Sequence, residues 1–227
     1  MDTQVTLAEE VLLLTLDDES GVAKERAGAA WAIPGALLAE LALAGRVVLE
    51  DGKVSAVGRE PVGEPLLDGC LGRLVAWAEG RRTAKASDWL LKDRATAPSD
   101  TLARLVERGL VTEERHKALG IFPVRRYPEA DGSVERALRE RLAAVVLHGA
   151  EPDARTGALI ALLHASDLHR SAFPDVPRKA VAPRFAEIAE GEWADRSVRE
   201  AIRNARAVLA AVIAVTAATT ATTAATM

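Results

Sequence analysis

The sequence predicts a mainly α fold, a single compact helical domain with short β-hairpins. Three observations predict it. Apolar residues recur at helical spacing along most of the chain, Pro or Gly stands at the ends of several of these stretches, and Asp51-Gly52 separates two short β-prone segments. With 227 residues and 49% hydrophobic content, the chain is long enough to bury a core without disulfides.

The N-terminal half is predicted to combine helices with a hairpin. Residues 7–16 are apolar at helical spacing and end at the turn-forming residues 17–21. A second helix is predicted from about Ile33 to Ala44, because Pro34 suits the first turn of a helix and Gly45 suits the position just past its end. The other elements predicted in this half are strands over 46–50 and 53–57 and helices over 66–79 and 101–108.

The C-terminal half is predicted to be helical after one extended segment over 120–127, which follows a charged turn. Residues 159–163 are apolar on all sides, which predicts a central buried helix. The other helices predicted here lie over 133–147, 178–189 and 198–215. We therefore expect one domain over residues 1–215 and a disordered Ala/Thr-rich tail over 216–227. Only residues 207–215 are strongly apolar, about half of the ~20 that a membrane-spanning helix needs, so no span is predicted.

The composition predicts the cellular compartment of the protein and shows where its charges are concentrated. Cys70 is the only cysteine, which excludes an intramolecular disulfide, and the N-terminus lacks a signal-peptide pattern, so a cytoplasmic location is expected. The formal charge is −4, but residues 81–126 carry eleven basic and six acidic residues, a local charge of +5. Such a segment attracts phosphate groups or an anionic membrane surface. The alternative interpretation is an ordinary solvated face of mixed charge.

No catalytic residue, metal site or cofactor is predicted. His164 and Asp167 can share a helix face, but His169 is expected to point elsewhere and a third metal ligand is missing. We expect His164 and Asp167 to hydrogen-bond to each other or to backbone at a buried helix end. Ser166 lacks a nucleophile elbow and Cys70 has no His nearby in sequence. The acidic pairs are predicted to lie in surface-like contexts: Glu9-Glu10, Asp17-Asp18 and Glu113-Glu114. The sequence thus predicts a protein that is not an enzyme.

Trp31 is the aromatic residue for which a functional role competes most clearly with a packing role. It lies among alanines just ahead of the predicted helix start at Pro34. It is either an exposed aromatic that enters a membrane interface or lines a headgroup pocket, or a packing residue. The other three tryptophans, Trp77, Trp89 and Trp193, are expected to pack in or near the core.

Four segments in order along the chain resemble the Golgi phosphoprotein 3 family: EEVLLL over 9–14, ELALAGR over 40–46, LVERGLVT over 105–112, and HASD over 164–167 with the later Ala172-Phe173. The resemblance covers residues 7 to about 215. It implies a mostly helical domain with short hairpins and a flat basic surface that faces the membrane. It also implies binding of phosphatidylinositol 4-phosphate and an adaptor role for the cytoplasmic tails of glycosyltransferases in the Golgi.

The sequence departs from the family at the headgroup positions. Counted in register from the matching segments, the family's Trp and three Arg fall here on Glu25 or Arg26, on Pro34, and on Ala95 and Pro98. Pro and Ala cannot supply the charge-assisted, bidentate hydrogen bonds of an Arg. The lipid- or anion-binding residues predicted from nearby positions and from the basic segment are Arg26, Trp31, Arg81, Arg82, Lys92 and Arg94.

The predicted function is a non-enzymatic peripheral membrane adaptor that binds a phosphoinositide or another anionic lipid through a basic face. Its expected partners are anionic lipid or a phosphoinositide headgroup and the cytoplasmic tails of membrane proteins, with no nucleic acid and with self-association left open. One alternative is a cytoplasmic protein-interaction scaffold that lost its lipid specificity. Another is a winged-helix-like DNA-binding protein, since residues 101–127 read as a helix followed by strands.

Overall fold

The computed structural model describes residues 5–16, 26–118, 122–128, 130, 132–191, 207–208 and 210–212. The helices within these ranges are α1 (Leu7–Thr15), α2 (Arg26–Leu43), α3 (Pro65–Ala78), α4 (Ala86–Asp93), α5 (Ala97–Glu107), α6 (Ser133–Val146), α7 (Ala154–Ala165), α8 (His169–Ala172) and α9 (Arg178–Glu190). Two antiparallel hairpins accompany them, β1 (Val47–Glu50) with β2 (Lys53–Ala56) and β3 (Glu114–Ala118) with β4 (Phe122–Arg126). The predicted mainly α class with short hairpins is confirmed.

Three helices, α1, α2 and α7, form the centre of the core. Every residue of α1 is buried, and α1 packs along α2, which in turn packs on α7. The Thr6 hydroxyl accepts from the Glu9 N–H and the Glu9 carboxylate accepts from the Thr6 N–H, so a capping box starts α1. The apolar run at 159–163 lies inside α7 and is buried, as predicted. Because all three helices carry apolar residues on most faces, they can be covered on all sides by the others.

The prediction for Glu9 and Glu10 was wrong. Both carboxylates are almost fully buried, with residue exposures of 0% and 2%. Glu9 lies 3.2 Å from a guanidinium nitrogen of Arg108, and Glu10 lies 2.6 Å from Arg155 and 2.9 Å from Arg141. Arg side chains from three later helices therefore compensate the charges, a long-range pairing that local sequence does not reveal.

The start of α2 was also placed wrongly. The helix begins at Arg26 rather than near Ile33, so Pro34 lies in its interior instead of its first turn. The preceding residues 27–32 are mostly alanine, the strongest helix former, and they extend the helix before the proline. Proline removes one backbone donor, yet burial of the surrounding residues on α1 and α7 holds the helix together.

Gly28 marks a close approach between α2 and the end of α7. A Cβ built there would lie 2.6 Å from the Ser166 carbonyl oxygen and 2.7 Å from Leu168 Cδ2. We expect Gly28→Ala to lower the free energy of unfolding by about 1–3 kcal/mol, because a backbone atom must move to admit the methyl group. Urea unfolding followed by circular dichroism measures the change.

A glycine in α3 provides the matched control. A Cβ at Gly72 would meet nothing within 4 Å, and the position is exposed. Gly72→Ala should therefore raise the free energy of unfolding by up to about 1 kcal/mol through helix propensity alone. Equal changes in the two variants would show that the contact between α2 and residues 166–168 is not tight.

The first hairpin was predicted correctly, and the second was predicted only in part. Asp51 and Gly52 form the turn between β1 and β2 with φ of 49° and 73°, as the Asp-Gly signal predicts. The extended segment over 120–127 is confirmed by β4, but its partner β3 replaces the charged turn that was predicted. Charged residues in β3 are compatible with a two-stranded ribbon, where no alternation of apolar residues is required.

Helix α4 was not predicted, and α5 begins at Ala97, four residues before the predicted Thr101. At 8 residues α4 is too short for a clear periodic pattern. The predicted turn at 17–21, most of the predicted helix over 198–215 and the tail over 216–227 lie outside the described residues. The predicted single domain over 1–215 accordingly stays a prediction.

Candidate functional site

The segment His164 to His169 contains a hydrogen-bonded chain of three side chains, of which His169 is buried, His164 half-buried and Asp167 exposed. His169 Nδ1 lies 3.3 Å from Asp167 Oδ1, and His169 Nε2 lies 3.0 Å from His164 Nδ1. Donation from His169 to the carboxylate leaves Nε2 as the acceptor for the His164 N–H. The predicted polar corner exists, but it is not buried throughout, because the Asp167 side chain is 66% exposed. The prediction that His169 points elsewhere was wrong, because His169 lies between His164 and Asp167 and contacts both. The short helix α8 turns it back towards α7.

This corner packs against α9. The His169 side chain is 1% exposed, and its ring centroid lies 4.8 Å from that of Phe185 on α9. Burial, followed by the positive charge of Arg178, lowers the pKa of His164. Burial and then the neighbouring His164 lower the pKa of His169. Among the described residues no group of three or more His, Cys, Asp or Glu side chains is placed to hold a metal ion.

Stability should fall as the pH falls below about 6.5, the ordinary pKa of histidine. The pKa values in the folded chain are lower than in the unfolded chain, so the unfolded chain binds more protons in this window. His169→Phe keeps an aromatic ring against Phe185 and removes one of the two titrating imidazoles. Chemical denaturation between pH 7.5 and 5 should therefore give a shallower loss of stability for this variant than for the unmodified protein.

The control is His148→Gln, since His148 lies on an exposed turn after α6. Its pH dependence should match that of the unmodified protein. A His169→Phe variant that loses stability as steeply as the unmodified protein would refute the role of the buried pair.

Cys70 and its neighbours form a second buried cluster, between α3 and α4. The Cys70 Sγ lies 3.8 Å from Asp93 Oδ2, and Arg73 Nε donates to Asp93 Oδ1 at 3.0 Å. Burial and then the charge of Asp93 raise the pKa of Cys70, which keeps it a thiol. Burial also raises the pKa of Asp93, although Arg73 opposes the shift. A buried neutral thiol is a poor nucleophile.

Trp31 and Arg94 are brought together by the fold. The guanidinium carbon of Arg94 lies 4.3 Å from the centroid of the Trp31 ring. Trp31 is inside α2 and only 6% exposed, so it does not project into solvent, while Arg94 is exposed at the end of α4. Ala95, one of the positions at which the resemblance implies a headgroup arginine, directly follows Arg94, and Pro98, another, lies four residues after Arg94. This cation–π contact holds Arg94 beside them.

The remaining predicted cations, except Arg26, gather around α4 and the loop before it. Arg81 and Lys92 line one cleft together, and Arg81 and Arg82 line a neighbouring cleft with the β1–β2 hairpin. All three are exposed, as is Arg94. We refer to Arg81, Arg82, Lys92 and Arg94 as the basic patch. The side chain of Arg26 lies outside the described residues.

Two other cations of the basic segment are engaged elsewhere. Arg104 on α5 pairs with Glu64 at 2.9 Å and with Glu107 at 2.8 Å. Arg108 pairs with the buried Glu9 at 3.2 Å. These two guanidinium groups neutralise carboxylates of the protein, so the helix of the supposed winged-helix unit does not present them to a phosphate backbone. Six of the eleven cations of the basic segment are thus assigned, two to structural ion pairs and four to the basic patch.

One feature of this region was missed from the sequence. An open cleft of about 630 Å³ lies between α3 and α4, and we call it the α3–α4 cleft. The side chains that line it include Arg73, Trp77, Arg81, Trp89, Lys92 and Asp93. The spacing of Arg73 and Trp77 on α3 and of Trp89, Lys92 and Asp93 on α4 is helical, so recognition of α4 would have placed them on facing surfaces.

Comparison with known families gives a match over most of the chain. The family model described as Golgi phosphoprotein 3 (GPP34) matches residues 7–205. Within the ranges that the structure describes, no helix combines the length and apolar character needed to cross a membrane. The match runs from the first residue of α1 beyond the end of α9, and it includes both hairpins, the His164–His169 corner and the basic patch. The chain belongs to the Golgi phosphoprotein 3 family.

Proposed function

We propose that this protein is a non-enzymatic peripheral membrane adaptor that binds anionic lipid headgroups through the basic patch. The observation that carries the proposal is the Arg94 guanidinium held 4.3 Å above Trp31, next to the exposed Lys92 and beside the family's headgroup positions. A stacked guanidinium keeps its outer N–H groups free for phosphate oxygens. The domain proposed to act in this way spans residues 1–215.

Exposed apolar side chains beside the basic patch support attachment to a membrane surface. Leu91 is 55% exposed and directly precedes Lys92. Val57 is 63% exposed and lines the same cleft as Arg81 and Arg82. Apolar side chains flanked by cations suit the headgroup region, where the former enter the acyl boundary and the latter meet anionic lipid.

The chemistry favours general anionic lipid over a specific 4-phosphate. The side chains of Pro34, Ala95 and Pro98 carry no donor, and Pro34 is buried inside α2, so all three of the family's Arg positions supply nothing to a phosphorylated inositol ring. Arg94 with Lys92 provides charge without the converging set of bidentate donors. We therefore expect attraction that depends on surface charge and weakens with salt.

The adaptor part of the proposal rests on family membership, which also suggests membrane-protein tails as partners and a cytoplasmic location. The side chains with shifted pKa values support a non-enzymatic role. Cys70, Asp93, His164 and His169 are all held in packed hydrogen-bonded clusters, and their surroundings keep the thiol and both imidazoles neutral.

Vesicle flotation tests this function. Three vesicle types are compared at low and raised salt: neutral phosphatidylcholine, phosphatidylcholine with phosphatidylserine, and phosphatidylcholine with phosphatidylinositol 4-phosphate at matched surface charge. We expect no recruitment to the first and similar, salt-sensitive recruitment to the other two. Recruitment only by the 4-phosphate lipid would contradict the general-charge proposal. Absence of recruitment by every type would favour the cytoplasmic scaffold.

A further inference from the structure

The Asp167–His169–His164 chain keeps both of its hydrogen bonds when it binds one extra proton, but not when it binds two. In the neutral chain, His169 Nδ1–H donates to Asp167 at 3.3 Å and His164 Nδ1–H donates to His169 Nε2 at 3.0 Å. One proton added at His164 Nε2 leaves both bonds in place. A second proton puts hydrogen on both of the facing nitrogens, so the bond between the two rings is lost. The two imidazolium rings, with centroids 5.1 Å apart, then repel each other.

Two nearby charges control how readily these protons bind. Asp167 favours the charged imidazoles, and Arg178, which lies 2.9 Å from the same Asp167 oxygen, disfavours them. Burial is the first cause that lowers the pKa of both rings. The carboxylates that α1, α2 and α6 bring towards this region are each paired with an arginine: Glu9, Glu10, Glu40 and Glu135. The other charged side chains over 170–190 are exposed or paired with each other: Arg170, Asp175, Lys179, Arg184, Glu187 and Glu190.

The backbone between α7 and α8 depends on the same contacts. Asp167 has a φ of 57°, in the left-handed region that residues other than glycine adopt uncommonly. Such a conformation persists where the surroundings enforce it. Here the Asp167 N–H donates to the His164 carbonyl at 3.1 Å, and the Asp167 carboxylate contacts His169 and Arg178. Loss of the bond between the two imidazoles therefore removes part of the restraint on residues 166–168.

Residues 166–168 lie directly against the first turn of α2. A Cβ at Gly28 would lie 2.6 Å from the Ser166 carbonyl oxygen, so the two backbones are in close contact. Trp31 follows Gly28 by three residues on the same helix, and positions three apart are neighbours on a helix surface. Arg94 stacks on the Trp31 ring. A displacement of residues 166–168 is thus one helical turn away from the residue that positions Arg94.

We propose that the Asp167–His169–His164 chain is a proton-dependent switch, which holds residues 166–168 against α2 until it binds a second proton and then releases them. Release changes the packing of Trp31 and with it the position of Arg94 in the basic patch. This effect on the basic patch rests on the function proposed above, whereas the switch itself does not. Acidification is the signal that the switch detects.

An NMR titration of the full chain without lipid tests the switch. The ring signals of His164 and His169 and the indole signal of Trp31 are followed from pH 8 to 4.5, with the exposed His148 as the reference imidazole. We expect His164 and His169 to titrate in two shared steps, as coupled groups do, and the Trp31 signal to shift with the second step. The buried Trp89 indole should not shift at that step. Independent one-step titration of the two rings, an unresponsive Trp31 signal, or a simultaneous shift of both indoles would overturn the proposal.

Charge variants at exposed positions should move the two steps in opposite directions. Asp167→Asn keeps a residue that tolerates left-handed backbone but removes the negative charge, so both steps should move to lower pH. Arg178→Gln removes the positive charge, so both steps should move to higher pH. Each change should be roughly half a pH unit, less than for a buried pair because both side chains are largely exposed.

Lys179→Gln is the matched control, because it removes the same charge from the neighbouring exposed position. It should change the two steps much less than Arg178→Gln does. Equal changes for these two variants, or changes of the same sign for Asp167→Asn and Arg178→Gln, would contradict the proposal. No lipid is present, so failure of vesicle recruitment leaves this result unaffected, and an unresponsive Trp31 signal leaves the vesicle result unaffected.

Discussion

Replacing Arg155 with methionine is expected to lower the free energy of unfolding by about 3–5 kcal/mol, the range for breaking a buried ion pair from one side. Arg155 Nη1 donates to Glu10 at 2.6 Å, its Nε to Glu40 at 3.3 Å and its Nη2 to the Val5 carbonyl at 2.5 Å. The Glu10 side chain is 3% exposed, so its charge has little access to water. Urea unfolding followed by circular dichroism measures the loss.

Two further variants test the cause of that loss. Arg184→Met removes an i,i+3 pair with the largely exposed Glu187 and should cost less than about 1 kcal/mol. Adding Glu10→Met to Arg155→Met removes a carboxylate that has lost this partner, and part of the stability should return. A similar loss for Arg155→Met and Arg184→Met would contradict the view that the buried carboxylates of α1 depend on Arg155.

Neutralising three cations of the basic patch, Arg81, Lys92 and Arg94, to glutamine is expected to lower partitioning onto anionic vesicles about 100-fold. Each cation near such a surface contributes about 1 kcal/mol, and 1.4 kcal/mol corresponds to a factor of ten. The three side chains are exposed, so the folded structure should persist. Sedimentation with phosphatidylserine vesicles at low salt measures the change.

The control has the same change in net charge at another surface. Arg136→Gln, Arg170→Gln and Lys179→Gln replace three exposed cations on α6, α8 and α9. This variant should bind almost as tightly as the unmodified protein. If both triple variants lost binding equally, recruitment would depend on net charge rather than on the basic patch.

Most helices could be predicted from local patterns, because burial gives each a periodic or continuous apolar sequence. Residues 159–163 and the capped α1 are examples. The failures have different origins, some of them local. The alanine-rich residues 27–32 extend α2 ahead of Pro34, and β3 formed because β4 pairs with it.

The sequence could predict which segment contains the candidate site, but not how the side chains of the site are arranged. Charge counting identified Arg81, Lys92 and Arg94, since a local excess of cations is visible in sequence. It could not show that Arg104 forms an ion pair with Glu64, which lies 40 residues away in sequence. Nor could it show that Arg94 covers Trp31, which depends on how α4 crosses α2.

The most direct test of the central claim, that the basic patch contacts anionic lipid, is hydrogen–deuterium exchange with and without vesicles. Phosphatidylserine-containing vesicles should slow exchange in peptides spanning residues 79–96, relative to phosphatidylcholine vesicles, and should leave peptides of α6 and α9 unchanged. Protection confined to α6 and α9, or no protection by anionic vesicles at low salt, would contradict the account.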